Sequence, residues 1–254
     1  MTHYFSGLKR SRRSAIALIL LAIICLSGVS ATAAPRKHTL DIGQFNKINI
    51  TDDIDVVYRC VADSTGTVAF TAEESLANAF IFTNSGGKLR VQINTEMVER
   101  PELPTIYLYS DYLTSAENGG NGTLTIETPH PCPEFKVVQV GNGRIIAEDI
   151  NATEVKGTLA TGNGNVVLSG KCDKASLKMV GAGSIQADRL QAKEVNSIIF
   201  GGGSIGCFAE QLLKVKGLGS TKIYYKGTPE IKKSGTAKIF SLEQERVTDY
   251  FISQ

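Results

Sequence analysis

Two pairs of carboxylates stand at matching places in this chain. Glu148 and Asp188 each follow the second glycine of a Gly-x-Gly pair by five residues, and Glu154 and Glu194 follow the same two glycines, Gly143 and Gly183, by eleven. If such pairs mark the windings of a stacked fold, each couple lies on one outer face, two windings and roughly 10 Å apart at the usual strand spacing. That is near the upper limit for an inverting carboxylate pair, roughly 6.5–9.5 Å. One reading is therefore a polysaccharide lyase or glycoside hydrolase with Glu148 and Asp188 as its acid and base. The plainer reading is a solvated acidic face. A lyase would also want a Lys or Arg base with calcium, and these positions do not clearly supply one.

Aromatic residues offer a second kind of chemistry, recognition without turnover. Tyr107, Tyr109, Tyr112, Tyr224 and Tyr225 are the candidates. Alternation along Thr105–Tyr109 sends Ile106 and Leu108 to one side and Tyr107 and Tyr109 to the other. If that second side is wet, the rings present flat apolar area with a polar tip, suited to a sugar or a protein partner. If it is covered, they are packing residues.

Other site chemistries find little material. His38 and His130 are far apart in sequence, which leaves a Ser-His-Asp triad or a His metal site nothing to build on. The glycine pairs lack the Gly-x-Gly-x-x-Gly ending of a dinucleotide loop and open no helix. Gly119-Gly120-Asn121-Gly122 resembles a calcium-binding nonapeptide, but Leu124 takes the place of its Asp. No cofactor or metal is expected. Cys60, Cys132, Cys172 and Cys207 show no disulfide framework, and Cys207 reads as a small buried hydrophobe.

The elements that position these residues come from a repeat. Second glycines fall at 122, 143, 164, 183 and 203, a period of 19 to 21 residues. Two and four residues later come Ile145 and Ala147, Val166 and Leu168, Ile185 and Ala187, Ile205 and Cys207. Period-two spacing makes a strand with one buried face, and a period near 20 makes a coil that stacks on itself. The fold class is all-β, a β-solenoid. Residues 38–240 read as one domain: a β-rich part over 38–117 that caps the stack, then coils over 118–240. In the first part, strands are expected at Thr39–Ile50, Ile54–Val61, Thr67–Thr71, Ala79–Phe82, Leu89–Ile93 and Thr105–Tyr109. A helical turn is expected over Glu73–Ala79, capped by Ser75 or Thr71. Residues 241–254 form a tail.

Residues 1–33 read as a secretory signal: Lys9, Arg10, Arg12 and Arg13, an apolar run from Ala15 to Leu26, and Ala31-Thr32-Ala33 for cleavage. The run is short for a membrane span, so no transmembrane segment is expected after cleavage. Ile24 before Cys25 argues against a lipid anchor. The whole chain carries 27 basic and 25 acidic residues. Losing the signal removes four basic ones, so the slight positive charge belongs to targeting and no nucleic-acid partner is implied.

Phe45-Asn46-Lys47-Ile48-Asn49-Ile50, Asp55-Val56-Val57-Tyr58, Gly87-Lys88-Leu89-Arg90-Val91, the Gly-x-Gly-x-Ile coils and Lys226-Gly227-Thr228-Pro229-Glu230-Ile231 together resemble the auto-transporter adhesin "head GIN" domain family of exported Bacteroidetes proteins. The resemblance covers about Asp41 to Ile239. It implies a right-handed β-helix-like fold, a place in the periplasm or on the outer cell surface, and adhesin-like binding of a glycan or protein without catalysis. It brings no catalytic residues. The chain departs from the family's usual Gly-Ser-Gly-Asp-Ile coil, with Arg, Asn or Ser in place of Asp, so the corners carry no acidic ligand set.

Overall fold

Alternating apolar residues make strand the dominant state, and the stack gives each strand two neighbours to bond. The computed structural model describes residues 34–97 and 102–242, which fall almost wholly within a compact unit beginning at Pro35. The expected signal at 1–33 and the tail from residue 243 lie outside the described residues.

Four long strands, β11 (Arg144–Leu159), β12 (Asn165–Gly181), β13 (Ser184–Gly201) and β14 (Ser204–Gly219), each bend through a winding and pair in parallel with the next. Strands β8 (Ser115–Asn118), β9 (Thr123–Glu127) and β10 (Cys132–Gln139) precede them. β15 (Lys222–Lys226), β16 (Glu230–Gly235) and β17 (Lys238–Ser241) follow. The expected register holds. Leu124, Ile145, Val166, Ile185, Ile205 and Ile223 form one row across neighbouring strands, each wholly buried. The result is a β-solenoid of about six turns. Gly201 shows why the corners need glycine: its φ is +126°, and an added Cβ would lie 2.2 Å from the Gly181 carbonyl oxygen one winding away.

The N-terminal part is woven into the stack as well as closing it. β2 (Lys47–Ile50) pairs with both β6 (Lys88–Ile93) and β8, and β3 (Val56–Cys60) with both β7 (Ile106–Ser110) and β9. The first winding in sequence therefore lies between two later ones. The strand expected over Thr39–Ile50 is two, β1 (Arg36–Asp41) and β2, separated by an irregular segment over 42–46. The end of the stack is closed by β4 (Thr67–Ala72), antiparallel to β7 and β1, and by β5 (Phe80–Ser85), antiparallel to β6. Phe70 sits under this closure, with ring centroids 5.1 Å from Phe80, 6.0 Å from Phe82 and 5.2 Å from His38. The expected helical turn is α1 (Glu74–Ala77), but neither Ser75 nor Thr71 caps it. Glu73 holds the cap position, without a side-chain hydrogen bond. At the other end β16 is exposed along its whole length.

Candidate binding face

The outer side of β7, β3 and β9 gathers the most chemistry. Strand alternation puts Ile106 and Leu108 in the core and leaves Tyr107 and Tyr109 half-buried on the outside. β3 beside them sends Arg59 to the same side, opposite Tyr109 on one neighbour and Glu127 on the other. Arg59 Nε donates to Glu127 Oε2 at 2.7 Å, and its Nη2 donates to Oε1 at 3.4 Å. Its guanidinium carbon lies 5.1 Å from the centroid of the Tyr107 ring, inside the range of a cation–π contact. The hydrogen bond it donates to Glu127 raises the Arg59 pKa above its ordinary value. Tyr107, Tyr109 and Arg59 line a cleft of about 400 Å³ with Lys37, Thr71 and Pro104.

The five tyrosines do not share one patch. Tyr224 lies in the same outer row as Tyr107, but seven strands along, roughly 34 Å away at the usual spacing. It stacks on Phe240 at 5.3 Å. Tyr225 packs against the core. Tyr112 meets His130 edge-on at 6.1 Å and lines a separate groove with Lys47, Lys88 and Lys136. Arg59 was invisible to sequence reasoning as a site residue. Its outward position was readable from alternation, but its neighbours belong to strands far away in the chain.

The carboxylates sort differently from their spacing. Glu148 is exposed, whereas the Asp188 side chain is only 14% exposed and accepts a hydrogen bond from Lys226 Nζ at 2.9 Å. Irregularities between Ala147 and Ile150 and between Ala187 and Gln191 interrupt the ladder where the two residues sit, and Ser169 pairs with Arg189. Their common offset thus does not carry into a common row. Glu154 and Glu194 do share a row, with Lys174 between them. Among the described residues, no three His, Cys, Asp or Glu side chains gather closely enough to hold a metal ion.

Cys207 is buried in the core row beside Ala187, as expected. Burial pushes the thiols of Cys172 and Cys207 up to about 12, which leaves them inert as nucleophiles near neutral pH. Among the described residues Cys60, Cys132, Cys172 and Cys207 are all free. Cys132 and Cys172 face the same row with Ala152 between them, about two strand spacings apart and beyond disulfide reach.

Residues 44–229 match the family model described as "Putative auto-transporter adhesin, head GIN domain". The chain belongs to that family. Solved structures share the fold. An adhesin-titled protein from Bacteroides fragilis NCTC 9343 is 22% identical with a TM-score of 0.74, over 83% of this chain and 98% of that one. A protein from Parabacteroides distasonis ATCC 8503 titled "Putative lipid binding protein" is 24% identical with a TM-score of 0.66, over 83% and 97%. Another adhesin-titled protein, from Parabacteroides merdae ATCC 43184, is 20% identical with a TM-score of 0.65, over the same shares. No functionally curated protein matches the chain. Among the described residues no helix is long and apolar enough to cross a membrane.

Proposed function

We propose that this head GIN protein is an exported, non-catalytic, adhesin-like binder that holds a surface glycan on the rigid outer face of β7, β3 and β9. The observation that carries the reading is the Tyr107–Arg59–Glu127 cluster. Two half-buried rings flank a cation already held by its carboxylate. A sugar ring can lay its C–H face on a tyrosine while its hydroxyls bond to Arg59 and Glu127. Ordering cost is small, because the strands and the ion pair are set before the ligand arrives. The lipid-binding title of one structural neighbour offers a competing ligand class. The mixed lining of this cleft, with Lys37, Arg59 and Thr71 among Phe70, Pro104 and the two tyrosines, fits the hydroxyls and C–H face of a sugar better.

The test is a glycan array with the whole chain and with Tyr107→Ala/Tyr109→Ala. Losing two stacking contacts is expected to weaken glycan binding about tenfold or more, at about 0.5–1.5 kcal/mol per ring. Binding that moves instead to a protein partner would change the ligand class. Turnover of a polysaccharide that disappears in Glu148→Gln and Asp188→Asn would overturn the reading.

A further inference from the structure

We propose that a different face of the solenoid docks an acidic polysaccharide, laid along the stacking axis over a row of lysines. The proposal rests on the reading of the chain as a binding protein, but not on its tyrosine face.

The row is a consequence of register. Lys88, Lys47, Ser115, Lys136, Lys156, Ser176, Asn196, Lys214 and Lys232 pair in succession from β6 and β2 through β8, β10 and the long strands to β16. Six of the nine positions are lysine, and the other three are neutral hydroxyls or an amide. At one strand spacing per step the row runs roughly 38 Å. The next row outward adds Arg90, Lys178 and Lys216 against the single acid Glu117. Since the whole chain has a formal charge of only +2, this is a local concentration of positive charge.

On the other flank runs an acidic row with Glu134, Glu154, Glu194 and Glu230. It is partly neutralised from within. Lys156 pairs with Glu134 and lies 3.6 Å from Glu154, Lys174 is 3.9 Å from Glu154, and Lys232 is 3.2 Å from Glu230. Among the described residues, Lys47, Lys88, Lys136 and Lys214 enter no ion pair. Within this row the free ammonium groups form a line, bounded on one flank by the acidic row and joined on the other by Lys178 and Lys216.

That shape selects the partner. A planar anionic membrane pressed on this face would meet the acidic row as well as the lysines, whereas a linear polyanion can follow the lysines alone. At the β6 end the row opens into a groove of about 620 Å³ where Lys47, Lys88 and Lys136 surround Tyr112, Thr114 and Ser115; Glu117 and Glu134 also line it, and Glu134 is paired with Lys156. An aromatic platform, two hydroxyls and, among the described residues, three unpaired cations against one unpaired acid, Glu117, suit a sugar that carries a carboxylate.

The experiment titrates the whole chain with polygalacturonate and, as the neutral control, dextran. Polygalacturonate is expected to bind and dextran not to. Raising salt from about 50 to about 500 mM is expected to weaken binding tenfold or more, because exposed pairs are screened over that range. Lys47→Gln/Lys88→Gln/Lys136→Gln should lose tenfold or more, Lys178→Gln/Lys216→Gln less, and Tyr107→Ala/Tyr109→Ala nothing. Absence of polygalacturonate binding, or unchanged affinity in a folded triple variant, overturns the proposal. So does tighter binding to phosphatidylglycerol vesicles that is abolished by Val180→Asp/Leu218→Asp, the exposed apolar pair on this side. Glycan binding that fails only in the tyrosine variant would sink this proposal and leave the adhesin reading standing.

Discussion

At the β1 end, the core rows finish under Phe70, Phe80 and Phe82, with β4 and β5 folded across them. At the β16 end, among the described residues, no antiparallel strand crosses the rows. Leu213 and Val215 face Ile231 and Lys233 on β16, which pairs on one side only among the described residues, and every residue of that strand is exposed. The first end is closed by burial, where each aromatic side chain contributes about 1.5–3 kcal/mol. The second is guarded by charge, since a lysine at an inward position of an edge strand opposes the docking of another strand there. The same repeat thus tolerates two opposite endings, and stability is expected to be uneven along it.

The largest expected effect tests the closed end. Phe70→Ala should cost about 3–5 kcal/mol, read as a shift of the urea midpoint. A loss below about 1 kcal/mol would mean that the aromatic closure is not what holds this end. A middle-sized effect compares one change at two depths. Gly201 and Gly235 have φ values of +126° and +90°, and an added Cβ would lie 2.2 Å and 2.1 Å from the carbonyl oxygen of the winding below. Gly201 lies between strands on both sides, but Gly235 is on β16, which among the described residues pairs on one side only. Gly201→Ala should cost about 2–3 kcal/mol and Gly235→Ala under about 1 kcal/mol. Equal costs would show the bare end to be as firmly held as the middle. The smallest stability change is expected for Lys233→Val, within about 0.5 kcal/mol. That variant should associate end to end in light scattering, and a strictly monomeric Lys233→Val would refute the guarding role.

The coils were legible in the sequence because each corner imposes the same demand. The glycine pairs fixed the period, and Ile145, Val166, Ile185 and Ile205 followed into register. The insertion of β2 and β3 was not legible. Ile48 pairs with both Leu89 and Ala116, and an alternating tetrapeptide carries no mark of which distant edges it will bridge. The site divided along the same line. Tyr107 and Tyr109 were readable from local alternation, whereas Arg59 reached them only through a long-range pairing. Equal offsets misplaced Asp188, because bulges shift register without leaving a sequence signal. The lysine row was hidden for a related reason. Its members on β11, β14 and β16 follow the repeat, but Lys47 and Lys88 join from outside it.

The sandwiched position of β2 and β3 sets an order of assembly. Arg59 and Glu127, which end up bonded, are 68 residues apart in the chain, while neighbouring coils close loops of about 20 residues, and short loops form first. A polypeptide made from its N-terminus therefore carries its earliest winding as an orphan, waiting for β7 and β9 to be synthesised and arrive on either side.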